Sequence, residues 1–316
     1  MQVAWTVDRM YHPSHRVPDL PEAVAFFEKV FGRQSVSLAA AQKAKSYSTR
    51  DGYPDDYCYF TYIQDVWFDS IAPAKYIVDG KQIYPSVSRP ELSGFGWGVQ
   101  GAEEIYRELR SRGIGCTDQK NIVWRGEGAP RASFADTVLF WTLEQDTGLR
   151  YEIYPTASIG AADPRGAPGW RLPPVSASDP LGIERCSHHT VLTDNPGRAL
   201  TLVKDVLGGV IIHEGRNPIL ETDSTYVALG DGVLEYAVPL PGSRYHSTWQ
   251  ERAPLDTYFS LTWLVQDLER AASHLESAGV RIAQRTRECV VADPDTALGI
   301  PWGFTTSCVP GDPRKA

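Results

Sequence analysis

The chain has 316 residues, 42% hydrophobic and 22% charged, values typical of a folded globular protein with room for two domains. Its net charge of −8 comes without a run of Lys or Arg, which argues against nucleic acid or an anionic membrane as the main partner. The five cysteines contain no Cys-x-x-Cys pair, and no segment approaches the ~20 apolar residues that cross a bilayer. We therefore expect a cytoplasmic protein, and a homodimer is compatible with the sequence.

The first predicted helix follows an extended segment near the N-terminus. Residues 15–33 read HRVPDLPEAVAFFEKVFGR, in which Asp19 is suited to cap a helix whose apolar residues recur at helical spacing before a glycine. Residues 190–209, TVLTDNPGRALTLVKDVLGG, repeat this order, with Asn195 as the predicted cap. Each segment predicts a strand, a cap, a helix and a glycine stop.

Two further segments have the same order, at residues 94–115 and 259–281. The four strand-to-helix units begin near residues 10, 93, 186 and 258. Each helix is followed by a stretch rich in Val, Ile, Tyr, Trp and Phe that predicts several short strands. The sequence thus predicts an α+β fold in which a βαβββ unit occurs four times.

The ends of the units align as well. IQDVWFDSIAP matches LGDGVLEYAVP, which places Asp69 opposite Glu235. TGLRYEIY matches ALGIPWGFT once one residue is allowed for, which places Glu152 opposite Gly303. Odd units therefore resemble each other, and so do even units, as expected after duplication of a two-unit domain.

A Pro/Gly/Ala/Ser-rich stretch lies between the two halves and is typical of a linker. We therefore predict an N-terminal domain at residues 1–156, a linker at 157–182 and a C-terminal domain at 183–316.

The repeated pattern resembles the vicinal-oxygen-chelate superfamily. In this pattern a strand is followed by a cap such as PDL, then by a helix that ends in VFG or VLGG, and the units occur in pairs. Its members include glyoxalase I, type I extradiol dioxygenases, methylmalonyl-CoA epimerase, fosfomycin-resistance enzymes and metal-free bleomycin-binding proteins. In this superfamily each pair of units forms a cup, and metal ligands come from the first and last strands of a unit. The resemblance implies a divalent metal (Fe, Zn, Mn, Ni or Co) with open positions for two neighbouring substrate oxygens.

Carried over position by position, the resemblance implies candidate metal ligands in both cups. Those of the N-terminal cup are His12, Asp69 and Glu152. Those of the C-terminal cup are His188 and Glu235. Since side chains alternate along a strand, only one of His188 and its neighbour His189 can face the cup, and the alignment favours His188.

The remaining ligand positions hold residues without metal-binding side chains, namely Gly94, Ser260 and Gly303. The extradiol dioxygenases use a His–His–Glu triad in the second domain, and two of those three positions are Ser260 and Gly303 here. Ring cleavage would therefore need relocated ligands. A cup built from units one and three would gather two His and two carboxylates, and the sequence leaves that pairing open.

The leading functional hypothesis is a metal-dependent enzyme acting on a small, apolar or aromatic substrate with vicinal oxygens. Glu152 or Asp69 would abstract a proton next to a carbonyl, as in isomerase or lyase chemistry. Two alternatives are an extradiol-type ring-cleaving dioxygenase with relocated ligands and a metal-free binding or resistance protein. The alternating glycines of GFGWG lack the spacing of a nucleotide-binding loop, so no nucleotide is expected.

Overall fold

The computed structural model describes residues 4–43, 54–132, 137–159 and 163–314. The strands of the first half are β1 (Thr6–Arg16), β2 (Ser35–Ser37), β3 (Cys58–Ile63), β4 (Val66–Ile71), β5 (Ile77–Val78), β6 (Lys81–Gln82), β7 (Glu91–Gln100), β8 (Cys116–Thr117), β9 (Phe140–Thr142) and β10 (Arg150–Pro155). The strands of the second half are β11 (Ile183–Leu192), β12 (Val210–Asn217), β13 (Thr222–Leu229), β14 (Gly232–Pro239), β15 (Thr257–Val265), β16 (Ile282–Arg285), β17 (Cys289–Ala292) and β18 (Gly303–Thr305).

The helices connect these strands, and those that begin at residues 20, 102, 196 and 268 lie where the sequence predicts a helix. They are α1 (Leu20–Phe31), α2 (Leu38–Lys43), α3 (Ala102–Ser111), α4 (Glu144–Thr147), α5 (Thr156–Ile159), α6 (Pro196–Leu200), α7 (His246–Gln250) and α8 (Leu268–Ser277). None of the helices in these described ranges is long and apolar enough to span a membrane.

Each half forms an eight-stranded mixed sheet. The strand orders are β2-β3-β4-β1-β7-β10-β9-β8 and β12-β13-β14-β11-β15-β18-β17-β16, while β5 and β6 form a separate hairpin. Within a sheet, the first strands of two units pair antiparallel, and the first and last strands of one unit pair parallel. The predicted α+β fold of four βαβββ units is confirmed. Adjacent units share a sheet, so the described strands do not form the cup of units one and three.

The first sheet ends at Pro155 and the second begins at Ile183. Residues 160–162 of the predicted linker lie outside the described residues. The rest of that segment connects the two sheets and contacts both halves. Arg165 donates to the carbonyl of Tyr11 on β1 and lies 3.5 Å from the carboxylate of Asp231, just before β14.

Helix α1 shows how the sequence joins the halves. The Asp19 side chain accepts a hydrogen bond from the backbone N–H of Glu22, so the predicted cap forms. Phe27 and Phe31 are fully buried, and their rings lie 6.3 and 5.0 Å from that of Trp302, in the segment before β18. The apolar face of a helix from the first half is thus covered by the second half, and the two sheets share one core.

The helix after Asn195 differs from the single helix that its spacing predicts. α6 covers only Pro196–Leu200, and residues 201–206 form a wider π-helical turn. The Thr201 hydroxyl donates to the carbonyl of Gly197, four residues back, a bond that disturbs the α-helical ladder. The apolar residues of the turn nevertheless reach the core, so the predicted burial holds while the predicted geometry does not.

Candidate functional site

Strand β1 carries a β-bulge at Tyr11. The pairing of β1 with β7 shifts between Met10 and His12, which leaves Tyr11 without a partner. A bulge of this kind re-aims side chains, and the rings of Tyr11 and His12 lie 4.6 Å apart on the same side of the strand. Tyr11 also lies 5.9 Å from Tyr154 of β10. Two neighbouring residues therefore face the cup together.

His12 contacts a carboxylate from the other unit of its cup. Its Nε2 lies 3.4 Å from Oε2 of Glu152 on β10, and the side chains are 6% and 13% exposed. Its Nδ1 lies 3.2 Å from the hydroxyl of Ser14. Gly96 of β7 separates the two strands, and a Cβ there would lie 2.9 Å from His12 Nε2. Glycine at position 96 thus makes the space in which imidazole and carboxylate meet.

Asp69 brings a second carboxylate to the same face. It lies on β4 beside Ser14 and is buried, and its Oδ1 has no hydrogen-bond partner within the described part of the chain. Burial, together with the negative charge of Glu152, raises the pKa of Asp69 to about 6 despite the opposing effect of His12. Burial alone would lower the pKa of His12, but its hydrogen bond with Glu152 and the charges of both carboxylates outweigh burial and raise it.

The fit of a metal ion depends on how far these groups converge. Within the described ranges, no group of three or more His, Cys, Asp and Glu side chains already converges on a metal-sized point. The His12–Glu152 pair does have suitable spacing, since two ligands about 2.1 Å from a tetrahedral ion lie about 3.4 Å apart. The charge of Asp69 interacts with both His12 and Glu152, but Asp69 does not complete a three-ligand set within the described residues. The fourth ligand position of the superfamily pattern is Gly94. A side chain there would collide with the Arg150 carbonyl, so this position cannot supply a ligand.

Aromatic side chains surround the pair. Directly paired residues share a face, and the register pairs Trp67 with Tyr62 and Trp141 with Glu152. The aromatic residues on this face are Tyr11, Phe60, Tyr62, Trp67, Trp141 and Tyr154. The Arg150 guanidinium lies 5.0 Å from the Trp141 ring. Trp97, by contrast, is fully buried in the core. Phe60 and Trp67 stack on each other, so part of this aromatic face is packed within itself.

The C-terminal cup repeats the His–carboxylate contact with a different partner. His188 Nε2 lies 3.4 Å from Oε2 of Glu235, which belongs to the same unit rather than the next one. Of the two adjacent histidines, His188 is the one beside the carboxylate. His189 instead hydrogen-bonds the hydroxyl of Tyr258, 2.6 Å away, in the core.

Glu235 is fully buried, and its two oxygens are saturated with donors. Its hydrogen-bond donors are Thr190, Asn217, Ser224 and Tyr226. Burial alone would raise its pKa, but the bonds from His188 and these polar groups lower the pKa of Glu235 to about 2. A carboxylate has about four accepting directions, and five contacts use them. Oε1 of Glu235 accepts three of these bonds and Oε2 accepts one, so within the described residues this carboxylate is more fully engaged than that of Glu152.

The residues opposite His188 explain why no second carboxylate reaches it. Thr262 occupies the place that Gly96 has in the first cup. A Cβ on Gly303, the counterpart of Glu152, would lie 2.5 Å from the Thr262 hydroxyl. The bulky side chain is therefore on β15 rather than β18, and the two cups are chemically different.

Comparison with solved structures agrees with this architecture. The 2,3-dioxygenase LapB from Pseudomonas sp. KL28 superposes with a TM-score of 0.56 at 14% identity, covering 98% of this chain and 96% of its own. The chain has the vicinal-oxygen-chelate fold. The Mn(II)-bound glyoxalase from Novosphingobium aromaticivorans, a second structure with this fold, matches with a TM-score of 0.56 at 11% identity, over 98% of this chain and 86% of its own.

A mutant of 4-hydroxymandelate synthase from Streptomyces coelicolor matches with a TM-score of 0.57 at 11% identity, over 94% of this chain and 92% of its own. No protein-family model matches the sequence, and a search of curated proteins finds no match. At these identities the comparisons establish the vicinal-oxygen-chelate fold, and the chemistry has to be argued from the site.

Proposed function

We propose that the protein is a metal-dependent vicinal-oxygen-chelate enzyme with its active site in the N-terminal cup. The observation that carries this proposal is the 3.4 Å contact of His12 with Glu152 beside the unpartnered oxygen of Asp69. In the C-terminal cup, Glu235 is held by four hydrogen bonds within the described part of the chain, so we assign this cup a structural role.

His12 and Glu152 are the residues that would hold the divalent cation, which is Fe, Zn, Mn, Ni or Co. When bound, the cation supplies Lewis-acid stabilisation of negative charge on two neighbouring substrate oxygens. Imidazole and carboxylate suit all of these ions, so the ligand set does not select one of them.

Asp69 is the proposed proton acceptor. A general base works best when its pKa lies close to the working pH, and the pKa of about 6 meets this condition. Burial, with the negative charge of Glu152, raises the pKa of Tyr11, so its phenol keeps a proton that it can donate to a substrate oxygen. The aromatic wall holds a flat substrate and excludes water. These roles fit abstraction of a proton next to a carbonyl, as an isomerase or lyase requires.

Metal analysis of protein purified without chelator tests the proposal, together with deuterium incorporation from deuterated water into 2-hydroxyacetophenone, an aromatic probe with vicinal oxygens. We expect wild type and His188→Ala to contain a divalent metal and catalyse exchange. We expect His12→Ala to lose both the metal and the exchange activity. His188 has the same contact with a carboxylate, but its carboxylate is engaged by other donors, so the C-terminal cup should not replace the lost site. Metal lost from His188→Ala and kept in His12→Ala would overturn the assignment.

The same experiment separates the alternatives. Iron in the wild type, with oxygen uptake on aromatic diols, would favour a ring-cleaving dioxygenase. Protein that contains no metal, takes up none and still binds the aromatic probe would favour a binding protein.

A further inference from the structure

A short Asp-Pro-Arg sequence follows each sheet, at residues 163–165 and 312–314. In the first copy, Arg165 Nε and Nη2 donate to the Asp163 carboxylate at 2.9 and 2.6 Å. Both residues are buried, with Arg165 only 5% exposed. A two-point contact with its own Asp fixes the plane of the guanidinium, so the remaining N–H groups point in set directions.

Those N–H groups hold the bulge beside His12. Arg165 Nη2 donates to the backbone carbonyl of Tyr11 at 2.6 Å, and Nη1 donates to the carbonyl of Asp65 at 2.7 Å. Tyr11 is the bulged residue of β1, and Asp65 lies in the turn before β4. We call this arrangement of residues 163–165, Tyr11 and Asp65 the first clasp.

The second copy makes the same bonds in the other half. Arg314 forks onto Asp312 at 3.0 and 2.9 Å. Its Nη2 donates to the carbonyl of Ser187 at 2.6 Å, and its Nη1 to that of Asp231 at 3.1 Å. Ser187 is the bulged residue of β11, next to His188, and Asp231 holds the place of Asp65. This second clasp provides a matched internal control.

The two clasps exchange hydrogen bonds. The backbone N–H of Met10, just before the first bulge, donates to Oδ1 of Asp231 at 2.7 Å. The backbone N–H of Cys186, just before the second bulge, donates to Oδ1 of Asp65 at 2.7 Å. Arg165 Nη1 also lies 3.5 Å from Oδ2 of Asp231. Each half therefore supplies a carboxylate to the bulge of the other.

We propose that Arg165 is a positioning residue for His12, and that the C-terminal half, through Asp231, takes part in the N-terminal site. A bulge interrupts the ladder and leaves backbone groups that need partners when buried. Arg165 donates a hydrogen bond to the carbonyl of Tyr11, and Asp231 accepts one from the N–H of Met10. Both bonds lie at the register shift between β1 and β7. Without Arg165 the Tyr11 carbonyl loses a charged donor, and β1 is free to adopt another register that turns His12 away from Glu152.

The test compares Arg165→Met with Arg314→Met, since each removes the equivalent pair of bonds to backbone carbonyls in its own half, and only Arg165→Met also removes the contact with Asp231 of the other half. The inference rests on the proposed function only in using Mn²⁺ affinity as one readout. By titration calorimetry, we expect Arg165→Met to bind Mn²⁺ about 10–100-fold more weakly than wild type, the usual range for a supporting partner of a ligand. Arg314→Met should lose less affinity than Arg165→Met, because Arg314 reaches the first bulge only indirectly, through the backbone of Asp231. Equal affinity in both variants, or an equal loss in both, would overturn the proposal.

A second readout does not depend on metal. In a crystal structure of metal-free Arg165→Met, we expect His12 Nε2 and Glu152 to lie beyond the ~4 Å reach of an ion pair. The His188–Glu235 contact should persist in that variant. If wild type binds no Mn²⁺, the proposed function fails, while the positioning role of Arg165 is still open to this second test. An unchanged His12–Glu152 contact in the crystal of Arg165→Met would overturn that role. Should Arg165→Met not fold, Arg165→Lys keeps the charge without the fork, and the same displacement of His12 is expected.

Discussion

Asp69→Asn is expected to slow proton abstraction by about 10²–10⁴-fold, the usual contribution of a general base, while the protein still binds its cation. The amide has the shape of the carboxylate but cannot accept the proton. Because Oδ1 of Asp69 has no hydrogen-bond partner within the described residues, the substitution removes no structural bond at that atom. The proposed ligands His12 and Glu152 are unaltered, so Mn²⁺ affinity should stay close to that of wild type.

The pH dependence of the same reaction gives a second check. A base must be unprotonated to act, and a cation bound at His12 and Glu152 would hold the pKa of Asp69 below its metal-free value of about 6, so the wild-type rate should rise with pH below about 6 and be level above it. The measurement is deuterium incorporation into 2-hydroxyacetophenone between pH 5 and pH 8. Asp223→Asn, which alters an exposed carboxylate of β13 paired with Arg216, is the control. An unchanged rate in Asp69→Asn would show that another group accepts the proton.

Glu235→Gln is expected to lower the free energy of unfolding at pH 7 by about 1–3 kcal/mol, the range for leaving a buried hydrogen-bonding group without its partner. The fully buried carboxylate accepts bonds from four polar groups and lies 3.4 Å from His188. A Gln side chain presents an NH₂ group in place of one oxygen, so some of these donors face another donor. Urea denaturation measures the loss, with Glu214→Gln on the exposed strand β12 as the control.

The sign of the pH effect follows from the lowered pKa of Glu235. Its folded-state pKa is about 2, below the ordinary value of 4.5, so the stabilisation is complete above pH 4.5 and is lost as the pH falls towards 2. The difference in unfolding free energy between wild type and Glu235→Gln should therefore shrink from pH 5 downwards. A difference that is absent at pH 7, or constant over this interval, would contradict the saturated-carboxylate interpretation.

Features set by local sequence could be predicted before the structure. The cap at Asp19 and the four βαβββ units depend on capping chemistry and periodicity. These signals span at most a few neighbouring residues or a direct repeat. Short-range patterns and direct repeats can both be recognised in the sequence alone.

Features set by contacts between distant strands could not be predicted in the same way. The contact of His12 with Glu152 depends on the register across β7 and on the missing side chain of Gly96. The saturation of Glu235 depends on donors from three other strands, which no spacing in the sequence reveals.

One missed feature did have a sequence signal. The Asp-Pro-Arg repeat at residues 163–165 and 312–314 is visible by eye, but its first copy lies in the segment interpreted as a linker. Its role depends on β-bulges at Tyr11 and Ser187, and a bulge leaves little trace in the sequence. The repeat can be recognised by comparing the segments that follow the two halves. Its contacts with the bulged strands are visible only in the structure.

We expect a divalent metal to bind in the N-terminal cup and not in the C-terminal one. Anomalous diffraction from a crystal of the wild-type protein soaked in Mn²⁺ tests it most directly, because the signal locates the ion. We predict a peak between His12 and Glu152, within about 2–2.5 Å of both ligand atoms. A peak beside His188 and Glu235, or no peak at His12 in a crystal saturated with Mn²⁺, would contradict the account.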